Sequence, residues 1–511
     1  MIKIKKPLLV AVIASLITSN TTQAQEFVLD SIAANTTPLL IPGSGMSQMT
    51  YALYKKTGHK DKITLAMLDP MLAPMMTQEL DTKGLGDVLA FAGNDQASLF
   101  LFYDNSKKKA TLATFGPDGN IITEKAYKGI TIGDDVTLYR ALSPEGFVLV
   151  SQTSKKAGFK VEGIDSKLDI KWTYNGKQKM VAVDQSMDIL NITAVSQSAQ
   201  GNETYSIISI QTETGDAAAE NVLKHEEQLL YPTFTSNKEG MGFTGGLFFK
   251  DGNPNNKTPD GIFIAQVSPD GEMAEFATVP YSLIIEDIKD EQVSEQLASG
   301  KYKLMPVATT RKMDGSGSIL VCELFSRKKT ADGNTRFEVM DMVSINFNIE
   351  QKYESLSVIK KEKKSATVKG ELAKANHDWS VATWLLQKGF FDFKLLQDFG
   401  GRQALGYTTV NNGEQSLCFN NLSAAKSDCV PYGTRILSGS NTQTTYTSGQ
   451  NALANSGILS TSMEAVVVFE NNGKQVLLYT LPLIAGEPNI TEPMHHGEEP
   501  HHEEEPPVEE N

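Results

Sequence analysis

The most constraining feature of the sequence is a weak repeat: a β-rich run, a turn containing Gly, Asp or Asn, and a second short strand. Asp118-Gly119, Asp270-Gly271 and Asn472-Gly473 supply the positive φ angles that tight hairpin turns need. We therefore interpret each unit as a hairpin. The clear copies span 111–128, 159–176, 205–224, 262–281, 337–360 and 463–483, and weaker copies span 62–80 and 415–432.

A further β-branched or aromatic strand precedes several of these hairpins, as at Val88–Ala92 and Gly146–Gln152. The period is roughly 50 residues in the first units, and it lengthens to about 75 between residues 280 and 430, where insertions are expected. Four short strands per period, repeated about seven times, predict an all-β fold, a β-propeller with seven blades. Tandem β-sandwiches are the alternative, because they also give many short strands at regular turns.

The repeats resemble secreted bacterial β-propeller proteins with kelch-like and quinoprotein-like blades, over residues 45–483. The resemblance is to the blade pattern alone, because the chain has no Trp-Asp dipeptide and no Gly-Gly pair repeated at fixed offsets. It implies one propeller domain at 45–486, preceded by an N-terminal segment at 25–44, with insertions near 282–300 and 361–400. Closing such a ring would remove the unpaired edges that its terminal sheets otherwise present.

The first 24 residues have the features of a signal peptide. Lys3, Lys5 and Lys6 form a basic region, an apolar run follows from Pro7, and Thr22-Gln23-Ala24 is a small-residue cleavage site. We expect cleavage after Ala24 and export to the periplasm or the cell exterior. No later segment approaches the length of a membrane span, so none is expected.

The two insertions depart from the strand pattern. In 282–299, Ile285, Ile288, Val293 and Leu297 recur at near-helical spacing among acidic residues, which predicts an amphipathic helix. The second insertion, 361–397, begins with lysines and becomes aromatic. A helix packed against a blade is the first interpretation of it, and an irregular covering loop is the second.

Two segments contain residue types that bind metal ions. Asp251, Asn253, Asn255 and Asp260 place oxygen ligands at alternate positions of a loop, as calcium sites do, but the usual glycine and final glutamate are absent, which favours a plain polar loop. The tail, 487–511, contains nine glutamates and no Lys or Arg, and we expect it to be disordered. Its two histidine pairs suit weak transition-metal binding, against the simpler interpretation of a solubilising end. These histidines are His495, His496, His501 and His502.

The remaining motifs favour structural roles. Cys418 and Cys429 lie eleven residues apart in a chain expected to be exported, which favours a disulfide between them. Cys322 falls within an apolar strand and reads as a small buried side chain. Residues 240–245 match G-x-G-x-x-G, but a strand follows where a dinucleotide site needs a helix, so no cofactor is predicted.

Function is constrained mainly by what the chain lacks. The body offers only His59, His225 and His377 as histidines, with no G-x-S-x-G or H-E-x-x-H motif, which disfavours serine and metal hydrolases. The formal net charge of −14 argues against general nucleic-acid binding. The preferred interpretation is a non-enzymatic binding scaffold for a protein or glycan ligand. A propeller glycosidase using paired carboxylates is the first alternative, and metal binding by the tail is the second.

Overall fold

The computed structural model describes residues 26–29, 31–33, 39–41 and 50–482, with short gaps in the last range. Between residues 387 and 474 it describes the backbone of the strands only. The gaps are 60, 70–71, 94–96, 132–134, 142–145, 153–157, 187, 198–202, 226–227, 239–240, 253–258, 269–272, 312–315, 332, 361–362, 369–377, 388–394, 399–400, 405–406, 411–413, 423–428, 438–439, 446–456, 462–464 and 472–474.

The described strands form a succession of antiparallel sheets, in which strands adjacent in sequence pair with one another. Sheets 1 to 4 are β2 (Leu39–Ile41), β3 (Thr50–Tyr54), β4 (Lys62–Leu68), β5 (Pro74–Asp81); β6 (Asp87–Gly93), β7 (Ser98–Asp104), β8 (Lys109–Phe115), β9 (Ile121–Tyr127); β10 (Asp135–Arg140), β11 (Gly146–Gln152), β12 (Phe159–Asp165), β13 (Ile170–Gly176); and β14 (Lys179–Ser186), β15 (Ile189–Gln197), β16 (Glu203–Gln211), β17 (Ala217–Val222).

Sheets 5 and 6 each carry an extra strand, and sheet 8 combines both ends of the chain. Sheet 5 is β18 (Lys224–His225), β19 (Gln228–Lys238), β20 (Met241–Phe249), β21 (Gly261–Val267) and β22 (Met273–Pro280). Sheet 6 is β23 (Lys303–Arg311), β24 (Gly317–Lys329), β25 (Thr335–Asn348) and β26 (Tyr353–Ile359), with β27 (Lys364–Val368) paired to β25. Sheet 7 is β30 (Tyr407–Val410), β31 (Glu414–Leu422), β32 (Cys429–Leu437) and β33 (Ser440–Thr445), and sheet 8 is β34 (Gly457–Thr461), β35 (Ala465–Asn471), β36 (Val476–Pro482) and β1 (Glu26–Leu29).

Burial within each sheet shows how the sheets are arranged. The second and third strands are buried almost throughout, as in β7 and β8, because both of their faces pack against neighbouring sheets. The fourth strands β9 and β13 are largely exposed, which places these strands at the outer rim of the ring. At the other side of the sheets, β10 lies beside β6, and β19 lies beside both β14 and β23, so these strands line the inside of the ring.

The apolar core is divided among the interfaces between successive sheets. In β7, Phe100 and Phe102 pack with side chains of sheet 1, whereas Leu99 and Leu101 point the other way and pack with side chains of sheet 3. A two-sheet sandwich would leave one face of each sheet in water. Because sheet 2 is covered on both faces, the fold is a β-propeller, as predicted, and the tandem sandwiches are excluded.

The first and last parts of the chain meet in one sheet. β1 pairs antiparallel with β36, from Glu26 opposite Tyr479 to Leu29 opposite Val476. Leu29 is fully buried and packs with Leu72 of sheet 1. The expected N-terminal segment 25–44 is therefore not separate from the propeller, since it supplies β1 to the last sheet and β2 to the first.

The described residues form eight such sheets, one more than the seven blades expected from the spacing. The difference arises from the two weak repeats at 62–80 and 415–432, because each belongs to a complete four-stranded sheet. Neither weak repeat contains the Asp-Gly or Asn-Gly pair that marks the turns of 111–128, 262–281 and 463–483, so they contributed little to the apparent period.

The turn between the third and fourth strands follows one plan in several sheets. Leu72, Leu168 and Gln351 have φ angles of 63°, 63° and 56°, at the position that Gly119 and Gly215 occupy in sheets 2 and 4. These three side chains are almost fully buried. A side chain packed into the interface thus offsets the strain of a left-handed residue that is not glycine.

Three helices of the described residues lie in the connections between sheets. The predicted helix at 282–299 is two helices, α1 (Tyr281–Asp287) and α2 (Glu291–Ala298). The chain is extended between them at Ile288 and Asp290, and the Asp290 side chain accepts a hydrogen bond from Val293 N as the cap of α2.

The second insertion contains a helix packed on the ring, as the first interpretation of it proposed, but that helix is shorter than the insertion. α3 spans Asp378–Gln387, and part of the lysine-rich stretch before it forms β27. A hairpin of β28 (Leu395–Asp398) and β29 (Gly401–Ala404) follows. β29 lies beside β10, β14, β19 and β23, on the channel side of sheets 3 to 6. None of the described helices is long and apolar enough to cross a bilayer.

Candidate functional site

The two ends of the ring differ in what connects their strands. In a four-stranded meander, the turn between strands two and three lies at the same end as the connection to the next sheet. Contacts across these segments agree, since Thr82 N donates to Asp61 O at 2.8 Å and Lys107 Nζ donates to Gly84 O at 3.5 Å. We call this end the loop face. Its described parts are 55–59, 61, 82–86, 105–108, 128–131, 158, 177–178, 223–225, 250–252, 259–260, 281–302, 330–331, 333–334, 360, 363–368 and 378–387.

All three helices belong to the loop face, above sheets 5 and 6, and we call 281–302 with α3 the helical sector. Trp379 of α3 is 1% exposed, and its ring lies 5.3 Å from Phe325 and 6.4 Å from Phe249. Lys303 Nζ lies 5.4 Å from the centre of the Trp379 ring, in cation–π geometry. Trp379 therefore fixes α3 to two sheets at once.

The helix α2 is attached to sheet 6 through a lysine. Lys360 Nζ lies 2.8 Å from Asp290 Oδ2 and 2.9 Å from Asp341 Oδ2. Burial by itself lowers the pKa of Lys360, but the hydrogen bonds to these two carboxylates outweigh it and raise the pKa. The hydrogen bond from Lys360 also lowers the pKa of Asp290. The cap of α2 is thus held in a charged contact with the ring.

Sheets 1 to 3 contribute a different surface to the loop face. Lysines outnumber carboxylates there, and we call the set the lysine arc. Its members are Lys55, Lys56, Lys62, Lys83, Lys107, Lys108, Lys109, Lys128, Lys160, Lys177 and, at the adjoining start of sheet 4, Lys179. The acidic residues at the same ends of these strands, or beside them, are Asp61, Glu79, Asp81, Asp87, Asp104, Asp135, Glu162 and Glu220.

A buried carboxylate lies beneath this arc, between sheets 2 and 3. Glu162 has a 1% exposed side chain that accepts a hydrogen bond from Tyr127 Oη and lies 2.6 Å from Lys160 Nζ. Burial, and then the hydrogen bond to Glu162, raise the pKa of Tyr127, so the phenol remains a donor. Both Glu162 oxygens have partners, which suits a group that joins two sheets.

The predicted calcium loop is the turn between β20 and β21. Asp260 Oδ2 accepts a hydrogen bond from Lys250 N at 2.8 Å, and Asp260 O accepts one from Tyr281 N at 2.9 Å. Asp260 thus closes the turn and joins it to α1. Asp251 lies in the same turn, whereas Asn253 and Asn255 are outside the described residues, so the calcium site stays a prediction.

The predicted disulfide falls on two paired strands. The register sets Cys418 opposite Gly433 and Cys429 opposite Leu422, so the two cysteines are offset by four positions, about 13 Å along the strands. A disulfide needs Cα atoms within about 7 Å. The Cys418–Cys429 bond stays a prediction, and it requires another register of β31 and β32.

The other predicted residues have simple placements. Cys322 is a free, fully buried thiol whose pKa is raised by burial, in line with its interpretation as a core side chain. Residues 241–245 of the G-x-G-x-x-G segment lie in β20, where a Cβ on Gly245 would be 2.7 Å from a ring carbon of Phe234, so that glycine permits close packing. His59 Nδ1 lies 3.3 Å from Glu79 Oε1.

Tail residues His495, His496, His501 and His502, together with His377, fall outside the described residues. Within the described ranges, no group of three or more His, Cys, Asp or Glu side chains has the arrangement of a metal site. The tail as a metal ligand stays a prediction.

Sequence reasoning missed the lysine arc. Its signal is the recurrence of adjacent lysines, Lys55-Lys56 and Lys107 to Lys109, in the turns between second and third strands. That recurrence is visible only when the strand order within each repeat is known.

No protein family and no curated protein matches the sequence. Among solved structures, the chain is similar to the polysaccharide lyase Uly1, with 9% identity, a TM-score of 0.41, and coverage of 90% of this chain and 99% of that one. It is also similar to BamB from Moraxella catarrhalis, with 10% identity, a TM-score of 0.34, and coverage of 91% and 99%.

The β-propeller domain of the Trilobed protease from Pyrococcus furiosus is a third similar structure, with 9% identity, a TM-score of 0.34, and coverage of 65% of this chain and 98% of that one. At TM-scores of this size, the fold assignment depends on the strand order and registers described above.

Proposed function

We propose that the protein is an exported binding scaffold that holds its ligand on the loop face of the propeller. Export follows from the predicted cleavage after Ala24, and a protein or glycan is the proposed class of ligand. Mass spectrometry of the protein recovered from the periplasm or medium tests the export, because the mature chain should begin at Gln25. An intact leader on the recovered protein would contradict it.

The attachment of the helical sector carries this proposal. Trp379 is buried against side chains of two sheets, and Lys360 joins the cap of α2 to Asp341 of sheet 6. Non-repeat elements held rigidly on one end of a ring present fixed positions to a partner, which is how many scaffolds use their loops. The described turns between third and fourth strands, at the opposite end, are short and closed by their own hydrogen bonds.

A retention and turnover assay tests the scaffold. The immobilised full chain is incubated with neutral and acidic polysaccharides, and both the retained material and newly formed reducing ends are measured. We expect at least one polymer to be retained intact. Release of new reducing ends would support the glycosidase alternative instead, and retention of no polymer would count against a glycan-binding scaffold.

Variants locate the binding to the loop face. Trp379→Ala should reduce retention because it frees α3, whereas Trp379→Phe should retain most of it. Ile170→Ser serves as the control. Ile170 is 50% exposed and is the first residue of the outer strand β13, at the end of the ring opposite the loop face. Equal losses for Trp379→Ala and Ile170→Ser would show that the ligand does not depend on the helical sector.

The glycosidase alternative needs two carboxyl groups about 5 to 10 Å apart that a substrate can reach. Among the buried carboxylates, those of Glu162 and Asp341 are each paired with a lysine, Lys160 and Lys360. Metal binding by the tail is tested separately, by comparing zinc uptake of the full chain with that of a chain ending at residue 486. Equal uptake by both chains would contradict the tail as the ligand.

A further inference from the structure

The lysine arc is continuous across three sheets. Lys55 Nζ, in sheet 1, lies 3.9 Å from Asp87 Oδ1 at the start of sheet 2. Lys107 Nζ reaches Gly84 O, beside Lys83, at 3.5 Å. In sheet 3, Lys160 Nζ lies 5.9 Å from the ring centre of Tyr127, the residue before Lys128. The lysines therefore form one strip along the loop face.

Part of this charge is neutralised within the arc. Glu79 lies between Lys56 Nζ at 3.7 Å and Lys62 Nζ at 3.2 Å, and Lys107 Nζ lies 2.9 Å from Asp104 Oδ2. The hydrogen bond from Lys62 lowers the pKa of Glu79, which keeps that carboxylate ionised.

The rest of the charge has no ion-pair partner among the described residues. Six exposed lysines of the arc form no ion pair with any described residue. They are Lys83, Lys108, Lys109, Lys128, Lys177 and Lys179. Lys83, Lys128 and Lys177 occupy three successive connections between sheets, so the free charges are distributed along the whole strip.

The opposite end of the same sheets carries the opposite charge. In the described turns between third and fourth strands of sheets 1 to 4, and at the strand ends beside them, the lysines are Lys167 and Lys171. The acidic residues of the same positions are Asp69, Asp118, Asp165, Asp169, Glu213 and Asp216. A positive strip on a chain of net charge −14 concentrates the attraction for an anion in one place.

We propose that the lysine arc binds a linear acidic polysaccharide through its carboxylate or sulfate groups. This inference depends on the proposed function, because it assigns a ligand class to one part of the loop face. A chain with regularly repeated charges can contact lysines on three sheets at once, whereas a small anion can contact only one or two of them.

The residue types of the arc disfavour the other polyanions. The arc has no arginine, the residue that best matches phosphate geometry. It also presents none of the exposed large apolar side chains found among the described residues, and the ring of Tyr127 is half-buried beneath Lys160. Both observations disfavour base stacking and anchoring in a bilayer. Lysines alone suit dispersed charges that need no fixed hydrogen-bond geometry.

The experiment compares two triple variants of the full chain. Lys83→Gln, Lys128→Gln and Lys177→Gln together remove free charge from the arc. Lys167→Gln, Lys171→Gln and Lys352→Gln remove the same charge from exposed lysines at the opposite end of the ring. The probes are polygalacturonate, chondroitin sulfate, neutral dextran, polyglutamate, double-stranded DNA and phosphatidylglycerol vesicles, measured by isothermal titration calorimetry at about 50 mM salt and at higher salt.

We expect the wild type to bind polygalacturonate or chondroitin sulfate, and not dextran. The arc triple should bind about a hundredfold more weakly, from about fivefold per lysine, with a shallower salt dependence. The control triple should change affinity less than about threefold, because charge beyond the Debye length is screened. Equal melting temperatures would show that both variants are folded.

Three results would overturn the proposal: no binding of either acidic polysaccharide, equal weakening in both triples, or tighter binding of polyglutamate, DNA or vesicles. If dextran or another neutral polymer is retained in the scaffold assay while the acidic polymers fail, the scaffold stands and the ligand assigned to the arc is wrong.

Discussion

Leu168 allows a direct test of how the turns of this propeller are built. Its φ angle is 63°, its N–H donates to Asp165 O at 2.9 Å, and its side chain is 2% exposed among side chains of sheets 2 and 3. Leu168→Ala removes the buried side chain and keeps the left-handed strain. Leu168→Gly removes both.

The expected free energies follow from these two contributions. Truncation to alanine should destabilise the fold by about 3 kcal/mol, as for other buried leucines. The strain of an L-residue in this conformation is about 1 to 2 kcal/mol, and glycine relieves it while losing about 0.5 to 1 kcal/mol through its freer unfolded chain. Leu168→Gly should therefore be more stable than Leu168→Ala by roughly 0.5 to 1 kcal/mol.

Leu149 provides the matched control. It is fully buried in the same apolar cluster but lies within strand β11, paired with Leu138. Here glycine should be less stable than alanine by about 0.5 to 1 kcal/mol. The order of the two substitutions should thus reverse between the sites.

Urea denaturation of the four variants, followed by far-UV circular dichroism, measures these differences. The comparison uses free energies of unfolding and requires equal m-values, so that the compactness of the unfolded chain is unchanged. If glycine were less stable than alanine by the same margin at both sites, the argument that burial offsets strain in this turn would be refuted.

Three further predictions concern single contacts. Tyr127→Phe should lower the free energy of unfolding by about 1 to 3 kcal/mol, measured by urea denaturation, because Glu162 loses a donor inside the protein; an unchanged value would show that water replaces the phenol. Trp379→Ala should cost about 3 to 5 kcal/mol, with loss of near-UV dichroism and a smaller cost for Trp379→Phe. Asp290→Asn keeps the cap of α2 but loses the ion pair with Lys360, so we expect a loss of about 1 kcal/mol near pH 7. Because the folded pKa of Asp290 is lowered, its stabilisation is present above the unfolded value of about 3.9 and disappears as the pH falls below it, so wild type and variant should converge near pH 2; a constant gap would contradict this linkage.

The repeat itself could be predicted from the sequence because it depends on local chemistry. Asp118-Gly119 marks a turn that any chain with this pair tends to form, and the apolar runs of β7 and β11 identify strands buried on both faces. The turns at Leu72 and Leu168 gave no signal, since the glycine that identifies such a turn is replaced by a residue stabilised only through tertiary packing.

The candidate site was less accessible to sequence reasoning. The arc joins lysines such as Lys55 and Lys177, which are far apart in sequence and become neighbours of one strip only through the arrangement of sheets 1 to 3. The helical sector was located, but the break between α1 and α2 was not. Its cause is the capping of α2 by Asp290, whose carboxylate is fixed in turn by Lys360.

The pairing of β1 with β36 has a consequence for biosynthesis. Residues 26–29 leave the ribosome about 450 residues before their partners at 476–479, so the strand that completes the last sheet must wait unpaired while the other sheets form. Closure of the ring of sheets then comes last, and its entropic cost is large because the paired strands are so far apart in sequence. A nascent chain arrested before residue 476 would expose both unfinished edges, and these are the surfaces on which a chaperone that binds unpaired strands would act.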